Sequence, residues 1–139
     1  MKHSTSETLL KEPFHMWKAP ERVDLHEFTD VDEFHESAAD VYSMGIILSE
    51  LYSLQPPWLY QDQDKESLDI VRAALLRGMR PNLTIDSKAP HGFYHLITRC
   101  WRHDPSHRPR ASCVLRRLRE ISECHRYGHD LREKHCRKL

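Results

Sequence analysis

Apolar residues recur at helical spacing in successive stretches of the chain, and no stretch alternates apolar with polar residues long enough to predict a strand. Val41, Met44, Ile47, Leu48 and Leu51 follow Ser37 and Asp40, a pair that resembles a helix N-cap arrangement. Tyr42 and Ile46 widen the apolar surface onto neighbouring faces, so the pattern predicts a helix buried on more than one side, the central strut of the domain. Pro56 and Pro57 stop it, since neither can donate the next backbone hydrogen bond. Leu68, Val71, Ala74 and Leu75 predict a helix over 64–77, with Gly78 at its C-terminus. Phe93, Leu96, Ile97, Cys100 and Trp101 predict another, terminated by Pro105, and Val114, Leu115, Leu118 and Ile121 a last one over 110–124.

The flanks are different. Ser4, Thr5, Ser6 and Thr8 crowd a polar start with no periodicity, and residues 1–12 are expected to form a flexible leader. Pro20 suits the first turn of a short helix, and the mostly acidic run 22–36 predicts that helix followed by a surface loop. Past Ile121 the heptad positions fall on His125, Gly128, Arg132 and His135, so 123–139 reads as a charged tail or helical linker.

Composition narrows the functional classes. The 139 residues carry 21 basic and 21 acidic side chains and 11 histidines, a formal charge of zero that calls for neither nucleic acid nor an anionic membrane. No run reaches the roughly 20 apolar residues of a spanning helix, so direct membrane insertion is not expected. Cys100, Cys113, Cys124 and Cys136 match no paired zinc-knuckle spacing, and reduced thiols in a cytoplasmic setting are the plainer expectation.

Three motifs give the order of these pieces a meaning. Met16-Trp17-Lys18-Ala19-Pro20-Glu21, Asp40-Val41-Tyr42-Ser43-Met44-Gly45 and Cys100-Trp101-Arg102-His103-Asp104-Pro105-Ser106-His107-Arg108-Pro109 stand in the sequence and spacing of a protein kinase domain. The chain resembles the C-terminal lobe of that domain, from the end of the activation segment to the last helix, over residues 13–122. The resemblance implies a mainly α fold, the helical C-terminal lobe of the protein kinase-like fold with the β-rich N-terminal lobe absent. Met16-Trp17-Lys18-Ala19-Pro20-Glu21 and Cys100-Trp101 favour the tyrosine-kinase-like branch over the ordinary serine/threonine branch. The long segment between Glu21 and Asp40, with Phe14–Glu21, Asp40–Leu51 and Arg80-Pro81-Asn82-Leu83, is most similar to the kinase-homology domain of receptor guanylate cyclases.

The resemblance also implies roles. Glu21 would pair with Arg108 as a largely buried, bidentate bridge, with Pro109 beside it as a structural residue. Asp40 would receive the catalytic loop in a whole kinase; without that loop it is expected to cap its helix and face water. Trp17 and Lys18 would lie on the surface that meets a protein substrate or partner, and Trp101 would pack its helix against the central one. For both tryptophans ordinary core packing is the competing account.

What the sequence lacks is as telling. Phosphoryl transfer needs a grip on the nucleotide phosphates, a lysine, a base to orient the acceptor and an aspartate on magnesium. Gly45, Gly78, Gly92 and Gly128 form no phosphate loop, and neither a His-Arg-Asp nor an Asp-Phe-Gly motif is present. These residues by themselves are expected to have no catalytic group, to use no cofactor and to be inactive. ATP and magnesium belong to a full-length parent, either a protein kinase or a guanylate cyclase. The starting methionine points weakly to a short gene product, although a truncated gene prediction would give the same beginning.

Other chemistries fare worse. Cys124, His125, His129, His135 and Cys136 are zinc-ligand types without a fixed turn to gather them, so no metal is expected. Arg108, Arg110, Arg116, Arg117 and Arg119 interleave with an apolar helix face and with Glu120 and Glu123, the pattern of a solvated face rather than of a nucleic-acid reader. Two functions remain: a regulatory, protein-binding module of receptor guanylate cyclase type, or a fragment of an active tyrosine-kinase-like protein kinase that transfers phosphate from ATP to protein. The first would be the cytoplasmic part of a membrane receptor. In either case the partner is another protein or the missing kinase lobe, met through a groove between residues 60 and 95, and the lobe alone is expected to expose apolar surface and associate.

Overall fold

A computed structural model describes residues 16–23, 33–59, 65–84 and 88–127, with the side chains of 33–35, 59 and 65–68 outside that description. Its helices are α1 (Pro20–Val23), α2 (Glu33–Ser53), α3 (Lys65–Leu76), α4 (Phe93–Cys100) and α5 (Ala111–Arg126), with 3-10 turns at Pro57–Leu59 and Pro105–His107. No strand occurs among the described residues, so the mainly α class read from the sequence holds. The expected leader 1–12 and residues 128–139 of the expected tail lie outside the described residues.

The central helix starts earlier than its apolar pattern suggests. Ala38 and Ala39 are good helix formers and are buried, and they carry α2 back to Glu33. Ser37 and Asp40 therefore sit inside the helix, and Asp40 caps nothing; it is an exposed residue more than a turn from the end. At the other end Leu54 takes a left-handed conformation (φ 53°) while its N–H donates to the Glu50 carbonyl at 2.8 Å. The Ser53 hydroxyl donates to the Ser49 carbonyl at 2.8 Å and accepts from the Gln55 N–H at 3.3 Å. These local bonds finish the helix three residues before Pro56, and the prolines only prevent its resumption.

One side of α2 makes the core. Tyr42 and Ile46 are fully buried, and with Leu75 of α3, Ile97 and Cys100 of α4, and Val114 and Ile121 of α5 they form one cluster. The α2–α4 contact depends on Gly45. A Cβ there would stand 2.8 Å from the Cys100 Cβ and 3.2 Å from the Trp101 backbone nitrogen, too close for either to yield. The opposite side of α2 is bare: Met44 and Ile47 are each 44% exposed, Leu51 64% and Leu54 84%. The expectation of burial on more than one side holds in part: Val41 and Leu48 of the same apolar row are buried beside Tyr42 and Ile46, while nothing among the described residues covers Met44, Ile47 and Leu51.

The remaining ends follow their signals. Gly78 (φ 83°) closes α3 with paired bonds, its own N–H to the Leu75 carbonyl and the Met79 N–H to the Ala74 carbonyl, both at 3.0 Å. Helix α4 stops at Cys100, ahead of Pro105, which instead opens the next turn. Helix α5 runs to Arg126, and Leu115 on it is half exposed, leaving Val114, Leu118 and Ile121 as its inner face.

Candidate functional site

The turn after α4 is built around one arginine. Asp104 accepts from the Ser106 N–H at 2.8 Å and the Ser106 hydroxyl at 2.6 Å, so Pro105–His107 forms a tight turn and Arg108 leaves it extended, as a residue before proline prefers. The Arg108 side chain is buried, and all five of its N–H groups have acceptors. Nε donates to the Arg102 carbonyl at 2.8 Å, Nη1 to Glu21 Oε1 at 2.6 Å and the Ala38 carbonyl at 2.9 Å. Nη2 donates to Glu21 Oε2 at 2.8 Å and the His103 carbonyl at 3.0 Å. One guanidinium thus ties α1, α2 and the 102–108 turn together, with the two parallel bonds a carboxylate accepts best.

Tyr42 stands beneath this pair. The Arg108 and Arg80 guanidiniums each lie 5.0 Å from its ring centroid, and Arg80 Nε donates to the Trp101 carbonyl at 2.7 Å. Burial pushes the Tyr42 phenol up to about 12, against the opposing pull of the two arginines. Its hydroxyl is buried with no hydrogen-bond partner among the described residues. By its sequence pattern Tyr42 is apolar area alone, and no spacing rule predicts the place of the Arg80 guanidinium over its ring.

Trp17 and its neighbours form the second part. Trp17 Nε1 donates to Glu50 Oε2 at 2.7 Å, and the Ser43 hydroxyl donates to the Trp17 carbonyl at 2.8 Å, so two residues of α2 seat the half-buried indole. Lys18 beside it is half-buried. Trp101 is buried in the main cluster, Asp40 is exposed on α2, and Pro109 is half-buried at the start of the segment leading to α5. The structure therefore gathers Glu21, Arg108 and Trp101 around Tyr42 but does not bring Asp40 to them.

The groove expected between residues 60 and 95 is described only in part, since 60–64 and 85–87 lie outside the described residues. Near it a cavity of about 240 Å³ opens between the end of α2 and the 81–84 segment, walled by Tyr52, Pro57, Trp58 and Pro81. No three His, Cys, Asp or Glu side chains come together to hold a metal among the described residues, and His129, His135 and Cys136 lie outside them. Burial pushes the Cys100 thiol up to about 11, which keeps it protonated and unreactive. Among the described residues, no helix is long and apolar enough to cross a membrane.

These elements have relatives. The family described as protein tyrosine and serine/threonine kinase matches residues 2–118. A probable serine/threonine-protein kinase, roco8 of Dictyostelium discoideum, is 31% identical over 107 residues, which cover 77% of this chain and 5% of the relative. Another from the same organism, roco7, is 34% identical over 103 residues, covering 73% and 4%. The receptor-type guanylate cyclase gcy-5 of Caenorhabditis elegans is 28% identical over 114 residues, covering 77% and 10%. The chain thus spans a tenth or less of the length of each of these relatives.

Proposed function

Because the chain belongs to the protein tyrosine and serine/threonine kinase family, we propose that its helical lobe serves as a regulatory, protein-binding unit, in the manner of the kinase-homology part of a receptor guanylate cyclase. One observation carries this reading. Met44, Ile47 and Leu51 step along α2 at spacings of three and four, with Leu54 just past its end, and all four stand open to water, a stripe of the kind that normally marks an interaction surface. A complementary apolar face from another segment or protein would cover it. The closed side, with Arg108 fully engaged, supports a lobe that keeps its shape while that surface is met.

Likeness to receptor-type guanylate cyclases supports the receptor setting, whereas the two serine/threonine-protein kinase relatives favour a second reading, a piece of an active kinase in which Trp17 and Lys18 face the protein substrate. The two differ in what the parent gene encodes. A catalytic loop and magnesium site upstream would support the kinase, and a cyclase domain downstream the regulator.

Sedimentation velocity tests the surface itself. The isolated chain is expected to associate as concentration rises, and Ile47→Glu with Leu51→Glu to keep it monomeric. A sharp, concentration-independent unfolding transition in the unaltered chain would overturn the proposal.

A further inference from the structure

A second surface lies between α4 and α5 and shares no lining residue with the open stripe of α2, so its occupant is independent of whatever covers that stripe. The two helices enclose a cavity of about 450 Å³. Its apolar lining is Leu96, Pro109 and Cys113; its polar and charged walls are His95 and Arg99 from α4 and Arg116 and Arg117 from α5, with Glu120 as the single acid. Arg117 Nη1 already binds Glu120 at 3.1 Å, which neutralises that acid. Arg99 and Arg116 are exposed and make no hydrogen bond or ion pair among the described residues.

The site is shaped for this arrangement. Gly92 precedes α4 with φ 86°, and a Cβ there would meet Arg117 Nη2 at 2.7 Å, so the glycine leaves the space in which that guanidinium lies. The cavity therefore offers an apolar seat between two unpaired cations on opposite walls.

We propose that this groove docks an acidic peptide segment of a partner protein, in which one apolar side chain, flanked by aspartate or glutamate residues, enters the seat while its neighbours' carboxylates pair with Arg99 and Arg116. The dimensions select this class of ligand. Helix α4 has eight residues and so is roughly 12 Å long, the reach of about four residues of extended peptide. Nucleic acid binding would call for a longer run of cations along a phosphate track, and here Glu120 interrupts it. Two separated single cations suit separate carboxylates rather than one doubly charged group.

The test is fluorescence anisotropy with the full chain and a labelled eight-residue peptide of aspartate and glutamate around one leucine. Arg99→Glu combined with Arg116→Glu is expected to weaken binding at least about tenfold, and raising the salt to weaken it further. Replacing the peptide's leucine by serine is expected to weaken it as well. Arg119→Glu, the same reversal at a single position outside the groove, is expected to leave affinity unchanged, and circular dichroism checks that each variant keeps its helices. The proposal is overturned if Arg119→Glu weakens binding equally, if the serine peptide binds as well, if an RNA oligonucleotide or a phosphoserine peptide binds more tightly at the same residues, or if the unaltered chain shows no binding at about 1 mM peptide.

Discussion

Large apolar residues stand on both sides of α2 and meet opposite fates. On one, Tyr42, Gly45, Ile46 and Ser49 are buried against α4 and the arginine pair; on the other, Met44, Ile47, Leu51 and Leu54 face water. Hydrophobicity alone therefore does not decide which side becomes core. The difference lies in small and polar groups: Gly45 lets a second helix approach, and Arg108 with Glu21 anchors the surrounding segments. A lobe built this way holds its form on one side and offers the other.

Arg108→Ala gives the largest expected effect. It leaves the Glu21 carboxylate buried without its partner and frees three backbone carbonyls, a loss of about 3–5 kcal/mol measured by urea denaturation. Arg108→Lys is also expected to destabilise, since an ammonium lacks the planar fork that reaches both carboxylate oxygens. Leu51→Ala on the open side is expected to change stability by no more than about 0.5 kcal/mol. Equal losses from Arg108→Ala and Leu51→Ala would mean that the closed side holds the lobe together no more than the open one does.

Gly45→Ala is next, at about 1–3 kcal/mol, because the added methyl is driven into the Cys100 Cβ and the Trp101 backbone. Alanine's better helix propensity, worth about 1 kcal/mol, works against that loss and sets its lower end. Met44→Ala, one residue away on the open side, is expected to fall within about 0.5 kcal/mol. Thermal unfolding of the pair measures how sharply the two sides divide.

Most of the helices were legible from apolar spacing and from Gly78, because those signals are local. Which side of α2 is covered was not, since cover is supplied by segments remote in the chain. Asp40 illustrates the point: a cap-like residue type in front of an apolar run, yet Ala38 and Ala39 are buried and continue the helix past it. The meeting of Glu21 with Arg108 was implied by family likeness and could not come from spacing across 87 residues. The groove between α4 and α5 was missed because its arginines read as a solvated helix face until α4 is seen to supply the opposite wall.

Alkaline titration probes the closed side without substitution. Cys100 and Tyr42 are raised by burial to about 11 and about 12, above their ordinary 9.0 and 10.0. Between the ordinary and raised values the unfolded chain has lost these protons and the folded chain retains them. Stability is therefore full below pH 9 and falls as pH rises through 11 and 12. Cys100→Ala is expected to flatten the first part of that fall, and chevron or urea measurements across the range would detect it.

The smallest effect belongs to Asp104, at the turn that positions Arg108. Hydrogen bonds from the Ser106 hydroxyl and N–H, in that order, hold its carboxyl below the usual range, with smaller help from His107 and Arg108. A depressed carboxylate contributes stability above its unfolded value and loses it as pH falls through the folded one. Asp104→Asn keeps an acceptor for Ser106 but removes the charge, so it is expected to be slightly less stable than the unaltered chain at neutral pH and equal to it in acid. If the two stability curves stay parallel down to about pH 2, the charge on Asp104 contributes nothing to this turn, and its hydrogen bonds with Ser106 hold the turn without it.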